Sequence, residues 1–197
     1  INLPGRPEHL LDEVTSIEQT HEAERLVWAN GEMTVIPRDD NPYHLLADGT
    51  KPPRADFATL DPDDLGNLSE LTSYIWGVYH VPRLAGLTAR GPLSEVPDYF
   101  LHTIDLVKAL SDEVSVHGEV FSPFTHFMEL FGYENALVNL LTDRDKAHAL
   151  LERLTQASVV WAVAQAQRGV DAVLISSAFA GGPFINRAMY REFVLPY

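Results

Sequence analysis

Two short stretches carry the side chains best able to do chemistry. The first is His117-Gly118-Glu119-Val120-Phe121-Ser122, with Thr125 and His126 shortly after; the second is Ser176-Ser177-Ala178-Phe179, ahead of Gly181-Gly182. Residues i and i+2 of an extended strand share a face. His117 and Glu119 can therefore act together as a general acid and base, as donor and acceptor to a substrate, or as two metal ligands. The competing interpretation gives His117 a loop carbonyl as partner and leaves Glu119 in water. Phe121, Ser122, His126, Ser176, Ser177 and Phe179 are the accompanying substrate-binding candidates, and either serine of the second stretch can donate to a substrate carboxylate.

Several chemistries are excluded by what is missing. There is no cysteine, so thiolate nucleophiles, disulfides, zinc fingers and iron–sulfur ligation cannot be built from these residues. A zinc deaminase needs Pro-Cys-x-x-Cys after its His-x-Glu. No Gly-x-Ser-x-Gly elbow presents a serine nucleophile, and Gly181-Gly182 lacks the spacing of a dinucleotide or phosphate loop. His21-Glu22-x-x-Arg25 misses the second histidine of a zinc-protease helix. Asp61, Asp63 and Asp64 lack the glycine and terminal glutamate of a calcium loop. No metal site is identifiable in the chain, His117 and Glu119 coming nearest to one. His9, His44, His80, His102 and His148 are scattered and read as surface or packing residues.

These stretches sit where strands end. Val114–Val120 reads as a buried strand emerging into a loop, and Asp171–Ser176 as a second. In parallel α/β proteins the site lies above the carboxyl ends of the strands. Around them the spacing predicts a helix opened by Ser94-x-x-Pro97 and running to Leu110, with Tyr99, Ile104, Leu106 and Val107 apolar. Another runs from Pro123 to Phe131. Thr142 and Asp143 cap a long helix to Arg168, striped by Ala147, Leu150, Leu151, Leu154, Ala157 and Trp161 and stopped by Gly169. After a loop over 177–185, Asn186 caps a last helix. The two strands are expected to be parallel neighbours, with the long helix in their right-handed crossover.

Upstream, Leu10, Leu11, Val14 and Ile17 suggest a short amphipathic helix within residues 8–27. Asn30-Gly31 between two β-rich runs predicts a hairpin over 25–37, both turn residues tolerating positive φ. Residues 37–67 are a turn-rich surface excursion, with a short strand at Tyr43–Ala47. In 67–92, Tyr74, Ile75, Trp76, Val78 and Tyr79 are expected to pack into core. The chain thus divides into an N-terminal part, 1–92, with hairpin and excursion, and β/α units over 93–197, as one domain.

The 197 residues are 46% hydrophobic, enough for one sizeable core, and 14 Lys+Arg against 28 Asp+Glu give a formal net charge of −14. Such a surface repels phosphate backbones and anionic lipid, which argues against nucleic-acid and membrane partners. No apolar run reaches the roughly 18 residues that span a bilayer. No signal peptide is visible at Ile1-Asn2-Leu3-Pro4-Gly5, so the expected location is the cytoplasm.

Gly118-x-x-x-x-Pro123-Phe124-Thr125, then Leu130-x-Gly132-x-Glu134, the helix ending at Arg168, Gly169-Val170-Asp171-Ala172-Val173 and Phe193-Val194-Leu195-Pro196-Tyr197 together resemble the uroporphyrinogen decarboxylase (URO-D) superfamily. The resemblance covers residues 93–197 best. It implies an α/β fold, a TIM-type (β/α)8 barrel of which only part is present in this chain. The superfamily holds cofactor-free decarboxylases of tetrapyrrole acetate groups, and corrinoid-linked methyltransferases that use zinc. Glu129 stands where decarboxylases carry a tyrosine, and Ile175–Gly181 is closer to the methyltransferase pattern. The resemblance therefore implies a methyltransferase-like enzyme acting on a small molecule or a corrinoid protein, with a decarboxylase or a non-catalytic barrel relative as alternatives. No cofactor is visible in the chain; zinc and a corrinoid follow if the methyltransferase reading holds, with the zinc ligands beyond Tyr197. Two convincing parallel strands are too few for a barrel of typically about 250 residues. A fragment is thus expected, assembling as a homo-oligomer or with its missing strands supplied by other polypeptide.

Overall fold

The computed structural model describes residues 14–40, 43–51, 54–63, 65, 98–110 and 113–197. The chain divides into two compact units. The expectations for Tyr74–Tyr79, and for the start of a helix at Ser94 and Pro97, lie outside the described residues.

The described part of one unit is a four-stranded antiparallel meander: β1 (Val14–Gln19), β2 (Ala23–Trp28), β3 (Met33–Pro37) and β4 (Tyr43–Leu45), paired in chain order. The helix expected within 8–27 is corrected here, since 14–19 and 23–28 are strands with Ile17 opposite Leu26. Leu10 and Leu11, the other two positions of that spacing, lie outside the described residues. Thr20 instead closes a tight turn: its hydroxyl accepts from Ala23 N–H at 3.1 Å and donates to Ala23 O at 2.9 Å. β-branched Val14, Thr15 and Ile17 suit the extended state that β2 templates.

The expected hairpin over 25–37 forms, with a different turn. Gly31 N–H donates to Trp28 O and Trp28 N–H to Glu32 O, both at 2.9 Å, enclosing three loop residues. Gly31 has φ 84°, and Asn30 Oδ1 accepts from Glu32 N–H at 3.0 Å. This is the three-residue loop in which glycine alone takes the left-handed position. Trp28 and Thr34 are buried, and the indole N–H donates to the Thr34 hydroxyl at 2.9 Å.

The second unit carries the β/α elements. They are α1 (Asp98–Leu110), β5 (His117–Phe121), α2 (Pro123–Phe131), α3 (Tyr133–Thr142), α4 (Arg144–Gln167), β6 (Ala172–Ser176), a 3-10 turn (Ala178–Ala180) and α5 (Arg187–Phe193). β5 and β6 are parallel neighbours, His117 opposite Ala172 and Phe121 opposite Ser176, with α4 in the crossover. The strand begins at His117 rather than Val114, which is exposed. A helix that the spacing did not announce, α3, fills the stretch before α4. Asp143 caps α4, accepting from Lys146 N–H at 3.0 Å, while Thr142 closes α3.

Packing follows the stripes. Ala147, Leu150, Leu151, Leu154 and Ala157 of α4 are buried, with Phe124, Phe127, Met128, Leu130 and Phe131 of α2 and Ala136 and Leu140 of α3. Phe57, Phe127 and Phe131 meet edge to face, centroids 4.9–6.2 Å apart. Each such side chain contributes about 1.5–3 kcal/mol through burial. α1 is tied to the end of α4, where Arg168 Nε lies 3.0 Å from both Asp105 carboxylate oxygens. Gly169, at φ 88°, then turns the chain toward β6.

Candidate functional site at the carboxyl ends of two parallel strands

The alternation of β5 sets what each side chain can reach. Gly118 and Val120 are buried, whereas His117 and Glu119 are exposed. Gly118 lies under α4, where an added Cβ would stand 2.1 Å from Gln165 Oε1. That close approach lets the Gln165 amide bind one residue twice: Oε1 accepts from Glu119 N–H and Nε2 donates to Glu119 O, each at 3.0 Å. Ser158 donates to Phe121 O at 2.9 Å. Both groups point away from β6, because Gly118, Val120 and Ser122 face it in the parallel ladder. α4 thus seals the outer edge of β5 and leaves His117, Glu119 and Phe121 together on the opposite face.

At the carboxyl end, Ser122 caps α2, its hydroxyl accepting from Thr125 N–H at 3.1 Å. It also lies 2.8 Å from Ser177 Oγ and 3.2 Å from Thr125 Oγ1. Thr125 Oγ1 donates to Ser176 O at 3.3 Å, and Ser122 N–H to the same oxygen at 2.8 Å. Three hydroxyls, from the cap residue between β5 and α2, from α2 and from the segment after β6, are therefore joined into one chain. His126, one helical turn past Ser122, sets its ring edge-on to Phe121, centroids 5.9 Å apart. Burial of that imidazole lowers its pKa from 6.5 to about 4, so it is neutral at physiological pH. Beyond β6, Phe179 joins Tyr133 and Phe184, with centroids 5.4–6.0 Å apart.

The structure brings Phe121, Ser122, His126, Ser176 and Ser177 together at one rim, while Phe179, two residues past Ser177, packs with Tyr133 and Phe184. Glu119 lies two residues below Phe121 on the same face. His117 stands at the entry of β5, about 13 Å from Phe121 at the rise of a strand, with its Nε2 2.6 Å from Ser115 Oγ. Reasoning from strand ends overlooked Gln165 and Ser158. Their signal was present: with Leu151 they mark seven-residue steps on the sheet-facing side of α4, polar side chains continuing an apolar stripe.

Among the described residues, no three His, Cys, Asp or Glu side chains converge to hold a metal ion. Among the described residues no third ligand stands beside His117 and Glu119, and these two side chains by themselves do not make a zinc site. No helix among the described residues is long and apolar enough to cross a membrane.

Comparison with known proteins places these residues. The profile of the uroporphyrinogen decarboxylase (URO-D) family matches residues 80–197. A methylated-thiol–coenzyme M methyltransferase of Methanosarcina mazei is 35% identical over 75 residues, 38% of this chain and 20% of that protein. A uroporphyrinogen decarboxylase of Anaeromyxobacter sp. is 32% identical over 117 residues, 56% of this chain and 33% of that protein. One from Mycolicibacterium paratuberculosis is 35% identical over 98 residues, 47% of this chain and 27% of that protein. The matched stretches thus span no more than a third of these relatives. No solved structure matches the chain.

Proposed function

The chain belongs to the uroporphyrinogen decarboxylase family, and from that premise we propose that it forms the central β/α units of a TIM-type barrel enzyme that transfers a methyl group. The observation that carries the reading is the joined rim. Two adjacent parallel strands deliver hydroxyls, a neutral imidazole and aromatic rings to one place, at the end where such barrels hold their substrates. Ser122, Ser176, Ser177, His126, Phe121 and Phe179 form the substrate-binding wall, with Glu119 beneath them as the acid–base group and His117 deeper on the same face.

Within the superfamily, methyl transfer is supported by Glu129 of α2 at the position where decarboxylases carry a tyrosine. The similarity to an enzyme named for methylated thiols adds to it. Decarboxylation of a tetrapyrrole is the second reading, favoured by the longer matches to uroporphyrinogen decarboxylases. The two are separated by assaying the full-length protein with methylcobalamin plus a thiol, and separately with uroporphyrinogen. Loss of the corrinoid's methyl group, read in the visible spectrum, is the expected result. Decarboxylation without methyl transfer would replace the first reading by the second.

A further inference from the structure

We infer that the hydroxyl chain at the rim is polarised inward, so that Ser177 Oγ meets a ligand as a hydrogen-bond acceptor and selects an N–H donor over a carboxylate. The inference rests on the reading that this rim binds the substrate, and it adds the chemistry of the group bound there.

Each hydroxyl has one hydrogen and two lone pairs, and a carbonyl has two lone pairs and no hydrogen. Ser176 O takes Ser122 N–H at 2.8 Å and the Thr125 hydroxyl at 3.3 Å, filling both lone pairs. Thr125 Oγ1 has then committed its only hydrogen, so across the 3.2 Å contact it accepts from Ser122 Oγ. Ser122 Oγ has now committed its own hydrogen as well, while one of its lone pairs holds Thr125 N–H at 3.1 Å. Its last lone pair faces Ser177 Oγ at 2.8 Å, and only Ser177 has a hydrogen left to place there.

Every hydrogen in the chain therefore runs toward the Ser176 carbonyl. Ser122 and Thr125 are buried, which makes an unmet donor or acceptor among them costly and holds the order in place. Ser177 is half-buried and stands at the outer end. It presents lone pairs and no hydrogen, which reverses the role expected from the sequence, donation to a carboxylate. The ligand class is an amine, amidine, amide or heterocycle that offers N–H. A formal net charge of −14 works in the same direction for a cationic donor.

Acetamidinium and acetate have the same shape and opposite hydrogen-bonding sense, and serve as probes at equal ionic strength. Their binding to the full-length protein is followed through the backbone amide shifts of Ser177 and Phe179. Acetamidinium is expected to lose about fivefold in affinity in Ser177→Ala, the weight of one hydrogen bond, while acetate is unchanged. Comparison with Ser177→Ala removes the contribution of overall charge. Thr125→Val, which frees the Ser122 hydrogen to turn toward Ser177, is expected to strengthen acetate binding. Acetate binding that depends on Ser177 in the wild type would overturn the polarity while leaving the rim as the binding site. If neither probe moved these amides in a Ser177-dependent way, the polarity and the site would fall together.

Discussion

Gly118 has no space for a side chain on the face toward α4. A Cβ there would meet Gln165 Oε1 at 2.1 Å and its amide carbon at 2.9 Å. Gln165 would have to leave, and both backbone groups of Glu119 would lose their partners. Gly118→Ala is expected to cost about 2–3 kcal/mol, read as a lower denaturant midpoint at unchanged slope. A variant as stable as the wild type would show that the Gln165 clasp is not what holds this strand. His126 gives a second residue-scale expectation. Its folded pKa of about 4 lies below the ordinary 6.5, so the unfolded chain binds the extra proton between those values. Stability is thus fully present above pH 6.5 and is lost as pH falls toward 4, by about 2 kcal/mol once partial exposure of the residue is allowed for. His126→Phe should flatten that part of the stability–pH curve; an unchanged curve would assign the dependence elsewhere. The position of the serines, Phe121 and His126 at the strand ends was legible in the sequence because a hydrophobic run ending in polar residues marks a strand mouth. The partnership of Ser122 with Ser177, 55 residues away, was not, since it depends on the register of β5 against β6.

At the scale of elements, α4 does more than cross between strands. Its apolar stripe packs on α2 and α3, while Gln165 and Ser158 satisfy an edge of β5 that no described strand covers. The same helix buries Arg153, whose Nη1 donates to Gln156 Oε1 at 2.8 Å while Nε and Nη2 find no acceptor among the described residues. A buried cation with orphaned donors is replaceable by an apolar side chain of similar length. Arg153→Met is expected to stabilise the chain by about 1–3 kcal/mol, raising the midpoint of thermal unfolding. A drop of the size seen for a deleted core side chain would mean that the guanidinium is needed where it lies. α2, α4, α5 and the parallel pair were all readable from caps and stripes: Asp143 and Asn186 cap helices as expected, Asn186 Oδ1 accepting from Met189 N–H at 3.0 Å. The N-terminal stretch misled because Leu10, Leu11, Val14 and Ile17 are spaced as on a helix, and the strand that claims Val14 and Ile17 is set by pairing with β2.

For the whole molecule, the described surface carries more apolar area than one strand pair can hide. Leu174 and Ile175 of β6 are 60% and 63% exposed, with Val138, Leu141 and Val159 also more than half exposed. Among the described residues no strand pairs with the far edge of β6. Open edges and apolar patches of this kind recruit other chains. Residues 1–197 alone are expected to sediment as assemblies at micromolar concentration, and a monodisperse monomer with one cooperative unfolding transition would show a self-sufficient domain.

The rim above β5 and β6, proposed as the place where the enzyme does its chemistry, is tested by kcat/KM of the full-length protein, with the substrate that proves active, for Glu119→Gln and Ser177→Ala beside the wild type. Both variants are expected to fall by about tenfold or more, the kinetic equivalent of about 1.4 kcal/mol of transition-state stabilisation, with thermal midpoints unchanged. Wild-type kcat/KM in both would contradict the assignment of the site.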